Sequence, residues 1–425
     1  MTFEKKEKIY SGIQHLYNQD IPRSYVVDVR NVRNIDGGVL QRALDRVLIR
    51  MPYFSDTIVI EGGDMYYATN PLPMLVRESA DMHSIGGSSN NYHMVDVTYY
   101  ENVITISMFH GFCDGRGLNM FIEALLYNYY SLLDGKDYDD SNVRTESTKM
   151  NDAETIEPFE HLYDIQLVKQ DVEATKHPKT TYYRFPEATG KTKEETGEIS
   201  IRIPTDEFMK FVKATGSSPA VVFSLMMGEA VKRIHPHPDK PIMSYIPMCM
   251  RKQLGCDSTF KNCSDRTGLV VSGGEMDKMT FDEKARHMRR ILKANMSEEA
   301  VKQKANELID IYHKLDLVNG FAAKQEMLTA LRPMSHDTYY MDYIGRLPMH
   351  EYSDRIVQIN YLSRPLDTLH INIIENGGFF QINVLYNYEL SEYADALVDT
   401  FKIYGITTYA RTKRSFILPI FSYQN

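Results

Sequence analysis

The stretch 101–135, ENVITISMFHGFCDGRGLNMFIEALLYNYYSLLDG, changes its hydrophobic period part-way along, which commits it to a strand leading directly into a helix. Up to His110 it alternates, with Ile104, Ile106, Met108 and His110 on one face and Val103, Thr105, Ser107 and Phe109 on the other. From Leu118 the apolar residues adopt helical spacing, through Phe121, Ile122, Leu125, Leu126, Tyr129, Leu132 and Leu133. The turn between them, HGFCDG, is expected to use Gly111, Gly115 and Gly117 for backbone angles closed to a side chain. It presents His110 and Asp114. An imidazole at the end of a buried strand, with a carboxylate four residues on, has the parts of a general base and a group that fixes its surroundings. The same pair also reads as a core histidine and the N-cap aspartate of the following helix.

At 425 residues the chain is too long for one ordinary core and suits two domains of roughly 200 residues each. A net charge of -9 argues against a nucleic-acid partner and requires any anionic cofactor to find a local basic patch. The opening MTFEKKEKIYSG has no apolar segment of the kind a secretory signal needs, and no run approaches the ~18 apolar residues of a membrane helix. A cytoplasmic location is the expectation. Four cysteines, Cys113, Cys249, Cys256 and Cys263, read as free thiols of a reducing compartment. The last three are evenly spaced, but six intervening residues do not fit the short spacing of zinc sites, and no metal is expected.

Along the chain, residues 23–32 read as a strand, and VLQRALDRVLIR as a helix stopped before Pro52. DTIVI and MYYAT form a candidate hairpin about Gly62 and Gly63. After the central helix the composition turns polar and acidic, predicting a solvated connection or lid. A second polar stretch, 186–198, marks the expected boundary between an N-terminal half, 1–185, and a C-terminal half, 186–425. In the second half Ser217, Ser218 and Pro219 start a helix, residues 281–318 carry two charged amphipathic helices, and TLHINIIENGGFFQINVLYNYEL is a hairpin turning at Gly377 and Gly378.

His110, Asp114 and Gly115 match the HxxxDG motif, and the chain resembles the chloramphenicol acetyltransferase-like superfamily, which includes alcohol acetyltransferases and peptide-synthetase condensation domains. Many condensation domains have a second histidine before the catalytic one; Phe109 stands there, closer in style to free-standing acyltransferases. The resemblance implies an α/β fold of two similar halves with mixed sheets and a substrate tunnel where they meet. His110 would be the base that moves an acyl group from a coenzyme A thioester to an alcohol or amine, without an acyl-enzyme. Asp114 would bond an arginine, Arg251 or Arg23. Arg251 stands in the place of a family arginine, and with Lys252, Lys261 and Arg266 it supplies positive charge for coenzyme A phosphates. Near the end, Gly345 matches the glycine of a family Ser-Asn-x-Gly strand end, but Asp342 and Tyr343 replace the serine and asparagine. Tyr343 or a backbone amide is then the candidate oxyanion donor. Two alternatives keep the fold: a donor carried on an acyl carrier protein acting in trans, or a non-catalytic binding protein.

Overall fold

The computed structural model describes residues 3–17, 23–162, 181–188, 193–331, 338–347, 351–365 and 368–422. The first lobe runs through β1 (Glu4–Lys8), α1 (Ile13–Leu16), β2 (Ser24–Asn31), α2 (Gly37–Arg50), β3 (Thr57–Glu61), β4 (Asp64–Thr69), β5 (Arg77–Glu78), β6 (Val95–Tyr100), β7 (Val103–Phe109) and α3 (Gly115–Asp134). The second lobe adds β8 (Thr196–Pro204), α4 (Thr205–Thr215), α5 (Pro219–Ile234), β9 (Ile242–Cys249), α6 (Arg251–Leu254), β10 (Ser264–Ser272), α7 (Phe281–Asn295), α8 (Glu298–Asp316) and α9 (Phe321–Leu331). The chain closes with β11 (Tyr339–Arg346), β12 (Ile356–Ser363), β13 (Leu369–Asn376), β14 (Phe379–Tyr386), α10 (Glu392–Ile403) and β15 (Ala410–Phe416).

The period change at His110 is the junction of β7 and α3. Local chemistry sets the other boundaries too. Asp36 caps α2 by accepting from the Val39 amide, and Pro52 follows its end. Thr280 and Glu283 form a reciprocal capping box on α7. Both expected hairpins form: β3 pairs with β4, and β13 with β14, the latter turning through Gly377 and Gly378 at positive φ.

Three sheets result. A seven-stranded mixed sheet has the order β10-β9-β11-β13-β14-β8-β15, a five-stranded one β12-β2-β7-β6-β5, and a small one β1-β4-β3. Parallel pairing occurs where β11 meets β13 and β9, and where β5 meets β6. One apolar core lies between the five-stranded sheet and α2 and α3; the other lies under α5 and α10 against the seven-stranded sheet.

Two features bind the lobes more closely than a linker would. β12, far down the chain, pairs antiparallel with β2 in the first lobe's sheet. Val301, Ile309 and Tyr312 of α8, with Phe260 and Cys263, are buried in the first core. The polar segment after α3 is largely exposed, as its composition predicts, but it is pinned to the first lobe at two points. Two of its acids, Glu154 and Glu157, are buried: Glu154 takes an ion pair from Arg50 at 2.8 Å and a hydrogen bond from the Tyr53 hydroxyl at 2.8 Å. Glu157 accepts from the Ser11 amide and hydroxyl, each at 3.0 Å. Composition alone does not distinguish these two anchoring acids from the exposed ones around them. The expected boundary stretch 186–198 lies partly outside the described residues.

Candidate active site

The end of β7 and the start of α3 hold His110 by its backbone. Its amide donates to the Arg23 carbonyl at 2.7 Å, and its own carbonyl accepts from Asn262 Nδ2 at 3.0 Å. The ring is fixed as well. His15, on the one-turn helix α1, stacks on it with centroids 3.9 Å apart and planes 8° apart, while Tyr25 of β2 makes a T-shaped contact with centroids 5.7 Å apart. Gly12 lets α1 come this close. It takes φ 69°, and a Cβ there would press on Asn262 and the Gly111 carbonyl.

His110 Nδ1 is buried without a hydrogen-bond partner, although the backbone of His110 itself and of Cys113 favours the protonated ring. Burial outweighs them and, with the Arg23 charge, lowers the ring's pKa below 6.5. The imidazole is neutral at pH 7, as a base must be before it acts.

Asp114 faces the other way. It caps α3 by accepting from the Gly117 amide at 3.0 Å, and it takes both arms of Arg251 at 2.7 and 2.8 Å and the Cys263 amide at 2.9 Å. Burial pushes its pKa up, but the Arg251 charge and these donors hold it below the ordinary carboxylate value. Arg251 continues to the carbonyls of Thr259 and Lys261, at 3.0 and 2.7 Å, so the pair staples the motif turn to the segment after β9.

None of the three motif glycines has positive φ. Gly117 is required by proximity instead, because a Cβ would overlap the Phe260 carbonyl; Gly115 has open space around it. Cys113 is buried, and burial followed by the Asp114 charge raises its thiol pKa well above the usual value, which leaves no thiolate for nucleophilic attack. Cys256 and Cys263 are free thiols 3.3 Å apart.

The remaining expected site residues are scattered. Tyr343 packs against the second core, with Phe380 and Phe223 centroids at 6.2 and 6.4 Å, and is not brought to His110. Alternation along β11 sends its neighbour Asp342 to the opposite face, where the Tyr25 hydroxyl donates to it at 2.6 Å. Of the basic residues expected for coenzyme A, Arg251 is committed to Asp114, and Lys261 is buried, paired with Glu7 and set over the Tyr67 ring. Arg266 lies over the Tyr245 ring at 4.8 Å, and Lys252 is exposed. His15, Tyr25 and Asn262 complete the surroundings of His110; no local period or motif in the sequence marks them.

The two lobes, their mixed sheets and the strand-turn-helix carrying His110 define the chloramphenicol acetyltransferase-like fold. Polyketide synthase associated protein 5 from Mycobacterium tuberculosis superposes with a TM-score of 0.64 at 13% identity, over 94% of this chain and 97% of that one. The first condensation domain of the CDA synthetase gives 0.62 at 12% identity, over 94% and 95%. F. graminearum TRI101, crystallised with coenzyme A and T-2 mycotoxin, gives 0.58 at 12% identity, over 95% and 100%. No family model and no curated protein matches the sequence.

Proposed function

We propose that the protein is an acyltransferase in which His110 is the general base that activates an alcohol or amine acceptor against an acyl thioester. The observation that carries this reading is a neutral, partly accessible imidazole whose backbone is held on both sides and whose ring is held by His15. With Nδ1 buried, the other ring nitrogen is left to meet substrate. That nitrogen takes the acceptor proton as the acceptor oxygen or nitrogen bonds to the thioester carbonyl carbon. The tetrahedral intermediate then expels the thiolate as the C–S bond breaks, and the imidazolium returns the proton to sulfur. No acyl-enzyme is needed, and holding both substrates together supplies much of the acceleration. Asp114 and Arg251 keep the turn in place.

Coenzyme A is the donor in this reading, with Lys252 and Arg266 left to meet its phosphates. A specific observation favours a second one, in which the donor is carried on an acyl carrier protein. Two of the four expected phosphate contacts, Arg251 and Lys261, are used up in buried ion pairs. The test is thiol release from acyl-coenzyme A donors and from a loaded carrier, with pooled alcohols and amines, by wild type and His110→Ala. Acceptor-dependent release should fall by about 10²–10⁴-fold in the variant. Near-normal turnover without the imidazole would remove His110 from the chemistry, and activity with the carrier alone would select the second donor.

A further inference from the structure

Most buried acids among the described residues have a cation beside them. Asp114 has Arg251, Glu154 has Arg50 and Arg144, Asp28 and Glu198 share Arg414, Asp96 has Arg77, and Asp56 has Lys6. Asp342 has none. Its Oδ2 accepts from the Tyr25 hydroxyl at 2.6 Å; its other oxygen makes no hydrogen bond among the described residues. Glu157 also lacks an ion pair, but it is sealed in, 2% exposed, and satisfied by Ser11. Asp342 differs in being enclosed by protein and still partly accessible, so its unsatisfied side faces a space and not packed side chains.

One tyrosine links this carboxylate to the base. The Tyr25 phenol that holds Asp342 belongs to the ring whose centroid lies 5.7 Å from that of the His110 imidazole. β2 of one lobe and β11 of the other therefore bring a carboxylate and the base against the same tyrosine. Burial raises the Asp342 pKa to about 6 and the Tyr25 hydrogen bond opposes the rise, so the group is ionised for the most part at pH 7.5. An enclosed carboxylate with no cation of its own is unfavourable unless something brings one.

We propose that Asp342 is the recognition site for a protonated primary amino group of the substrate, which selects an amine-bearing molecule over a neutral one beside His110. The inference relies on the acyltransferase reading only in calling that molecule a substrate. An ammonium group suits the position: it offers three donors and one charge to an oxygen that has no partner.

The experiment reads binding, so it does not depend on turnover. The probes are n-alkylamines and the matching n-alkanols, butyl to octyl, titrated by calorimetry at pH 7.5 into wild-type protein and Asp342→Asn. The amine should bind wild type about tenfold or more tightly than the alkanol of equal length, the ratio expected of one charge-assisted hydrogen bond. In Asp342→Asn the two should bind alike, with alkanol affinity and melting temperature kept. Equal affinities in wild type, no saturable binding of any probe, or an amine preference that survives in Asp342→Asn would each overturn the proposal. So would loss of alkanol binding together with a lower melting temperature, which would make Asp342 a packing residue. Amine selectivity in a protein that transfers no acyl group would leave this site standing and remove the catalytic reading; the reverse result would do the opposite.

Discussion

Replacing Asp114 by Asn tests the staple between the motif turn and Arg251. The substitution keeps the shape of the side chain and its capping oxygen but removes the charge. Arg251 is left buried, 2% exposed, with its fork facing a neutral amide. Breaking a buried, hydrogen-bonded pair from one side costs about 3–5 kcal/mol. Unfolding entropy is ~2 cal/mol/K per residue. For 425 residues melting as one unit, the loss lowers the midpoint by roughly 3–6 °C. The effect carries a pH signature. Because the folded carboxyl titrates below its ordinary 3.8, its contribution is complete above that value and is lost as pH falls through the folded pKa. Scanning calorimetry of wild type and Asp114→Asn from pH 8 to pH 3 should therefore show a constant gap down to about pH 5 that closes on further acidification. A variant melting within about 1 °C of wild type at pH 7, or a gap that persists unchanged into acid, would refute the assignment of Asp114 as a charged staple.

Glu123 on α3 is buried with Oε1 lacking a hydrogen bond, and burial, opposed by Arg116, raises its pKa to about 7. A raised carboxyl favours the folded state below its unfolded 4.5 and loses that advantage as pH rises through 7, a cost of about 3 kcal/mol by pH 8. Glu123→Gln should thus melt like wild type near pH 4.5 and above it at pH 8; an identical pH profile would count against this account. Gly117→Ala should abolish soluble folded protein or cost several °C, since its Cβ meets the Phe260 backbone, while Gly115→Ala should be neutral or stabilising by up to ~1 kcal/mol. Circular dichroism melts of the two variants check this, and the opposite ranking would contradict the geometry of the turn.

What the sequence made legible was local. The period change at His110, the turn glycines of the β13–β14 hairpin and the Ser218 helix start each depend on neighbours within a few residues, and each stands where expected. The partnership of Asp114 with Arg251 joins distant residues and was reachable because the motif directed attention to it. His15 beside His110 and Tyr25 beside Asp342 were not reachable. A four-residue helix has no hydrophobic period, and a hydrogen bond between β2 and β11 spans 317 positions of sequence. Lys261 illustrates the converse: in sequence it is a cation free to meet phosphate, and in the fold it is buried against Glu7 and Tyr67.

The pairing of β12 with β2 has a consequence during synthesis. A ribosome adds roughly 5–20 residues per second. From the end of β2 at Asn31 to the start of β12 at Ile356, it needs roughly 15–65 s. Throughout that interval the outer edge of β2 has no strand beside it, and an unpaired edge is a template for another chain. The first lobe therefore cannot complete its sheet as it emerges. Its folding is scheduled by the arrival of residues made near the end of translation, so the β2 edge is where the nascent chain is most open to pairing with another chain.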